Sequence, residues 1–232
     1  GIAAAIAVAI SVPLAELNEL SWRLSMVPWI VAALVTTIYW WQKMNSDEPI
    51  QNVKVPSFWR SPAFKNPMAW ALVFFFGLES MTFYATATWF PTLLTTKEFT
   101  LSHAAFAVSI SGIIGSGVGI VFPHYFEKST HQRAILVLTS LITGFAFFMV
   151  TLQTGVVLFI WLTISNIGIS IAFPLALMMA GMKSDTPEAT RNLSTMMQSI
   201  GYILSSMGPF LMAKLFDFSG DWDVAMYGVV AV

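Results

Sequence analysis

Glu79 stands where acidic side chains are rare, as the only charged residue in a run from Asn66 to Thr96. Helical spacing places Phe75, Thr82, Phe83 and Thr86 on its side of a helix. A carboxylate among rings and hydroxyls can hold a proton or a polar solute. In an apolar medium its ionised form is costly, so it must face a partner or a cavity. A purely structural hydrogen bond to a neighbouring helix is the alternative. Asn166 and Gln198 are amides in two further apolar runs. Thr163, Asn166 and Ser170 form one polar stripe, and Ser194, Gln198, Gly201 and Ser205 form another, with Tyr202 one turn from Gln198. Such stripes bind solutes or join helices to each other, and both readings stay open. The candidate substrate-binding or coupling residues are thus Glu79, Phe83, Asn166, Gln198 and Tyr202.

Other chemistry is poorly represented. Gly115-Ser116-Gly117-Val118-Gly119 has the composition of a phosphate-binding loop, but no strand precedes it and no Lys follows. Ser111, Gly115 and Gly119, spaced by four, instead predict a close helix approach. His103, His124 and His131 lack metal-ligand spacing, and a chain without Cys has neither disulfides nor thiolate metal sites, so no cofactor or metal is expected. An enzyme working within the membrane would need a nucleophile with its base, a carboxylate pair or a metal motif. The sequence has no His-Glu-x-x-His, no Gly-x-Ser-x-Gly and no second carboxylate inside an apolar run, so no catalytic residue is assigned.

The elements that must position these residues follow from composition. Apolar residues make up 56% of the 232 positions and charged residues 10%, against about a quarter charged in soluble domains. A membrane-crossing helix needs about 20 residues nearly free of charge. Leu24 to Gln42, Asn66 to Thr96 and Phe99 to Phe126 each fit one crossing. Ala134 to Met182 is charge-free for 49 residues, enough for two, with the break expected at Thr151-Leu152-Gln153-Thr154-Gly155. Asn192 to Ala213 makes a sixth, preceded by the helix-start signal Asp185-Thr186-Pro187-Glu188. The expectation is an all-α integral membrane protein. Both ends fall within apolar runs, without Met at the start, so the chain reads as a piece of a longer protein. No basic segment precedes the first run as a signal peptide would require.

Basic residues set the orientation, because Lys and Arg cross the membrane poorly during insertion. One set of loops holds Lys43, Lys54, Arg60, Lys65, Lys128, Arg133, Lys183 and Arg191; the other holds Arg23, Lys97 and Lys214. The richer set is expected in the cytoplasm, with Asp217, Asp221 and Asp223 outside. The polar stretch Lys43 to Pro67, with four prolines, reads as a cytoplasmic connector between two helical bundles. Its Phe58, Trp59 and Phe64 either rest on the membrane surface or are incidental. Nothing in it suggests nucleic-acid binding. Trp22-Arg23-Leu24-Ser25-Met26 echoes Trp222-Asp223-Val224-Ala225-Met226, and Pro13-Leu14 and Pro209-Phe210 are each expected to end the preceding helix, which suggests a same-direction repeat.

A long central connector, the expected six helices after it and such a repeat resemble the major facilitator superfamily. More narrowly, Gly77-Leu78-Glu79-Ser80-Met81-Thr82-Phe83-Tyr84 with Trp89-Phe90-Pro91 resembles the seventh helix of the cyanate and nitroimidazole transporter family. Met197-Gln198-Ser199-Ile200-Gly201-Tyr202, Gly208-Pro209, Phe216-Asp217 and Gly220-Asp221-Trp222 are similar to its eleventh helix and exit loop. The resemblance implies the last helices of a first bundle in residues 1–42, a central cytoplasmic loop in 43–66 and the second bundle in 67–232, with a truncated twelfth helix. It implies that helices seven, ten and eleven, which hold Glu79, Asn166 and Gln198, line a central cavity. It also implies a small-molecule solute, with protons as a coupling partner, the lipid bilayer of the plasma (inner) membrane, and partnership with N-terminal helices absent from these residues. That family commonly has an uncharged amide at the position of Glu79, so the carboxylate here is a departure. Its first helix tends to carry an arginine suited to a small anion.

Secondary active transport of a small solute, an anion such as cyanate or a nitroimidazole-like compound, is therefore the expected function. A non-transporting receptor or scaffold and a drug-efflux carrier of the same superfamily are the alternatives. Topology is directly testable because the sequence has no cysteine of its own. In intact cells a membrane-impermeant thiol reagent is expected to label Ser219→Cys and spare Ser57→Cys; the opposite pattern contradicts the charge-based orientation.

Overall fold

In the computed structural model of the chain, residues 2–15, 21–44 and 61–231 are described, and nearly all of them are helical. The helices are α1 (Ile2–Ala15), α2 (Ser21–Leu24), α3 (Val27–Met44), α4 (Pro67–Thr95), α5 (Leu101–Lys128), α6 (Gln132–Leu152), α7 (Gly155–Met182), α8 (Pro187–Ser205), α9 (Met207–Ser219) and α10 (Trp222–Val230). A 3-10 turn, Pro62–Lys65, precedes α4. Among the described residues, six stretches are long and apolar enough to cross a membrane: Trp22–Lys43, Pro67–Thr95, Leu101–Lys128, Gln132–Leu152, Gly155–Met182 and Pro187–Ser219. They fall on the six runs expected from charge spacing. The expected break near residue 153 is the gap between α6 and α7, where Gly155 takes a left-handed φ of 57°.

Local chemistry fixes the helix ends. The Asn66 side chain accepts from the Met68 amide at 2.9 Å with Pro67 in the first turn. The Thr100 and Thr186 hydroxyls cap α5 and α8 by accepting from the amides of His103 and Ala189 at 3.2 and 3.1 Å. These oxygens satisfy amides that have no partner inside the helix. Within the spans, hydroxyls fold back on their own helix: Thr82 donates to Leu78 O at 3.0 Å, Thr143 to Thr139 O at 2.7 Å and Thr163 to Phe159 O at 2.8 Å. Such bonds dispose of side-chain polarity where water is absent.

Helix α4 is central and packs against α5, α7, α8 and α9, while α5 lies along α1 and α7, and α10 closes on α6 and α9. Two apolar cores form towards opposite ends of α4. One joins Phe90, Leu93 and Leu94 to Phe147 and Val150 of α6 and Leu158 and Leu162 of α7. The other joins Leu72, Val73 and Phe76 to Ala176 and Ala180 of α7 and Met196 and Met197 of α8. Glu79 lies on α4 between them. At the end of α4, Lys97 Nζ donates to Thr151 O at 2.7 Å and pairs with Asp223 Oδ2 at 2.8 Å, tying α6 and α10 to the α4–α5 turn. Beside it, the Trp222 ring stacks on Phe216 at 4.2 Å and lies 4.9 Å from Trp89.

One sequence reading changes. Pro209 lies in the first turn of α9, where a ring without an amide is tolerated, instead of ending a helix, so it is not the counterpart of Pro13 near the end of α1. Of the connector, residues 45–60, with Phe58 and Trp59, lie outside the described residues. Phe64 packs edge-on against Trp70 at 6.3 Å, and the Trp70 indole donates to Phe64 O at 2.9 Å, so this end of the connector is folded onto α4.

The close approach expected of Gly115 and Gly119 is observed. A Cβ on Gly115 would lie 2.6 Å from Asn166 O, a backbone atom of α7, and one on Gly119 would meet the Ser170 carbonyl. Gly117, two positions away, has nothing within 4 Å. Gly115→Ala must part α5 from α7, and overpacking of this kind costs about 1–3 kcal/mol. Gly115→Ala is expected to lower the unfolding temperature in detergent and Gly117→Ala to leave it unchanged or raise it. Equal melting of the two variants would contradict the α5–α7 packing.

Candidate functional site

Glu79 is partly buried in the middle of α4, between the two apolar cores. Ser80, the next residue, is 2% exposed, and its hydroxyl donates to Glu79 Oε2 at 3.2 Å. The other oxygen, Oε1, is shut from solvent and no group among the described residues hydrogen-bonds to it. A buried acceptor without a donor is costly, and in native structures such atoms mark an ion, a water or a functional contact.

Helices α4, α5, α7 and α8, with Ile2 of α1, line an open cavity of about 550 Å³. Glu79 and Ser80 line it on α4 beside Phe83 and Tyr84; Ser116 faces it from α5, Ser170 and Phe173 from α7, and Tyr202 from α8. Its rings form a connected arc. Phe83 meets Tyr84 at 5.3 Å, Tyr84 meets Tyr202 at 6.4 Å, and the buried Phe76 bridges Tyr202 and Phe173 at 5.3 and 5.5 Å. Ser116 is 8% exposed, and its Oγ is a second buried polar atom without a hydrogen-bond partner. A separate cavity of about 810 Å³ lies between α4, α6 and α7, and Glu79 borders it together with Phe75, Thr82 and Thr143. Among the described residues, no Lys, Arg or His lines either cavity. Among the described residues, no group of three or more His, Asp or Glu could hold a metal ion.

The structure brings three of the five candidate residues, Glu79, Phe83 and Tyr202, to one cavity. Asn166 lies apart from its lining. Its Nδ2 donates to Ser111 Oγ at 3.1 Å and to Leu162 O at 3.0 Å, joining α7 to α5 where Gly115 lets the helices meet, and its residue borders a small void of about 50 Å³ next to Phe83. Gln198 is exposed on α8 and lines none of these spaces. Ser80, Tyr84, Ser116 and Phe173 were not singled out from sequence. Tyr84 and Ser80 had a signal, since they flank Glu79 and Phe83 within one apolar run; Ser116 and Phe173 acquire their place only from how α5 and α7 pack.

Against known proteins, the sequence profile of the Major Facilitator Superfamily matches residues 1–227. The chain is similar to the uncharacterized transporter YycB of Bacillus subtilis (strain 168), at 29% identity over 232 residues, 98% of this chain and 56% of that protein. It is similar to the 2-nitroimidazole transporter of Escherichia coli (strain K12), at 25% identity over 234 residues, 99% of this chain and 58% of that protein. With the cyanate transport protein CynX of Escherichia coli (strain K12) it shares 24% identity over 205 residues, 87% of this chain and 52% of that protein. The chain thus spans about half the length of the curated relatives it matches.

Proposed function

This chain belongs to the Major Facilitator Superfamily, and from that premise we propose that it works in secondary active transport, moving a small solute across the plasma (inner) membrane by alternating access. It is an integral membrane protein with six apolar helical stretches among its described residues. In this reading residues 1–42 close a first bundle, residues 43–66 are a cytoplasmic connector and residues 67–232 form the second bundle. The solute is small, in the range from a cyanate-like anion to a nitroimidazole-like compound, as the names of two relatives suggest.

One observation carries the proposal: Glu79, an acidic residue in the middle of an apolar span whose Oε1 has no hydrogen-bond partner among the described residues, lines the 550 Å³ cavity. A carboxylate with one oxygen held by Ser80 and the other free is positioned but not neutralised by the protein. It can therefore take up and release a proton, and a solute whose binding depends on that proton has its movement coupled to a proton gradient. Among the described residues, the other titratable groups on this cavity are the phenols of Tyr84 and Tyr202.

Glu79→Gln keeps the shape and removes the titration. In vesicles it is expected to abolish uphill solute accumulation driven by a pH gradient while preserving solute exchange. Accumulation by the variant with unchanged pH dependence would make Glu79 structural and place the coupling group elsewhere.

A further inference from the structure

We infer that one face of α8 is the wall of a water-filled entrance, running from the end of the helix that carries Glu188 and Arg191 to the cavity at Tyr202. The inference rests on the reading of that cavity as the solute compartment and gives it a route of access.

Among the described residues, α8 separates polar from apolar side chains more sharply than any other long helix. Its packed face is apolar: Leu193, Met196 and Met197 are buried against α4, and Gly201 meets Phe76 and Gly77. The opposite face is polar from one end to the other. Glu188, Arg191, Thr195, Gln198, Ser199 and Tyr202 recur at helical spacing within about 100° of the circumference, and every one is exposed. At the mouth, Arg191 pairs with Glu188 at 4.0 Å. At 1.5 Å per residue Gln198 lies roughly 16 Å from Pro187 along the axis, about half the thickness of a bilayer core.

At that depth the covering of the stripe matters. Gln198 and Ser199 have no hydrogen-bond partner among the described residues. Hydrocarbon would leave their polar groups unsatisfied, so it is a poor covering. A closely packed helix fits no better. Where backbones meet in this bundle glycines allow it, as at Gly77 and Gly201. The stripe has no glycine, and the long side chains of Arg191, Gln198 and Tyr202 hold a neighbouring backbone away. Water satisfies all of these groups. The stripe also has an end. Past the break at Ser206 the exposed residues become Met207, Phe210 and Leu211, so polarity stops at the level of Tyr202, which lines the cavity. A face that is polar on one side of the cavity and apolar on the other describes an entrance from a single side of the membrane, the side on which the charge bias sets the cytoplasm.

Nitroxide labels on single cysteines distinguish water, lipid and packed protein in one measurement, because a hydrophilic nickel chelate relaxes a label in water, oxygen relaxes a label in lipid, and neither reaches a label under a packed helix. With the intact protein in liposomes, labels at Gln198→Cys and Thr195→Cys are expected to show a nickel-to-oxygen accessibility ratio at least fivefold above that of a label at Phe210→Cys, which is 60% exposed on the apolar side of the break. A ratio at Gln198 equal to that at Phe210 puts the stripe in lipid, and shielding of Gln198 from both relaxants puts it under a helix; either result overturns the inference. Should Gln198→Cys fail to fold, Thr195→Cys and Ser199→Cys decide. The carrier reading fails separately. Water at Gln198 in a protein whose Glu79→Gln variant accumulates solute with unchanged pH dependence keeps the entrance and removes Glu79 as the coupling group. A dry Gln198 in a protein that accumulates solute removes the entrance and keeps the carrier.

Discussion

The structure depends on one arrangement, a carboxylate held at mid-span between two apolar cores with only one of its oxygens bonded. Below and above Glu79, α4 is sealed by Phe76 on one side and by Phe90, Leu93 and Leu94 on the other, all essentially without exposure. Those cores are apolar, so a charged group there would have no polar partner. The cavity between them supplies the space in which Glu79 can exist, and the arc of rings around it keeps that space from collapsing. A polar pocket framed by apolar plugs suits a group whose charge is meant to be answered by something that comes and goes.

Helices in lipid gain little from apolar burial against one another, so close packing and a few hydrogen bonds must hold the frame. The glycines do this where the frame matters. Gly115 and Gly119 let α5 lie against the backbone of α7 at Asn166 and Ser170, and the resulting approach brings the Asn166 amide to Ser111. Gly77 and Gly201 serve the α4–α8 crossing: a Cβ on Gly77 would lie 3.2 Å from Gly201 Cα. The same contacts aim Ser116 and Tyr202 at the cavity. Charge pairing is kept to the rim, where Lys97 binds Asp223 and a carbonyl of α6, well away from the unbonded carboxylate oxygen.

Much of the fold is legible from where charges are missing. Six runs, the break after Leu152 and the capping signal at Thr186 all follow from rules that act within one segment. Glu79 is conspicuous for the same reason, as the exception in an otherwise uncharged run. What sequence does not contain is the rotation of one helix against its neighbours. Asn166 and Gln198 share the polarity of a binding residue, but the α5–α7 approach turns Asn166 to Ser111, and the face of α8 that carries Gln198 is exposed while Tyr202, four residues on, reaches the cavity. Ser116 sits in a glycine-rich stretch whose dominant signal is packing, which hides its second role. Pro209 looks like a helix stop because a proline stops helices from within and starts them from the first turn, and sequence spacing does not separate the two.

The central claim is that the space around Glu79 and Ser116 is an open compartment, distinct from the packed interior beside it. A chain without cysteine allows this to be measured one position at a time. Ser170 on α7 lines the cavity and is partly exposed, whereas Ser165 on the same helix has no exposure and donates to Leu162 O at 2.8 Å. In membrane vesicles, Ser170→Cys is expected to react with a small methanethiosulfonate reagent, and Ser165→Cys to stay unreacted on the same timescale. Equal rates at the two positions, or an inert Ser170→Cys, would show that the carboxylate faces packed protein and would contradict the account.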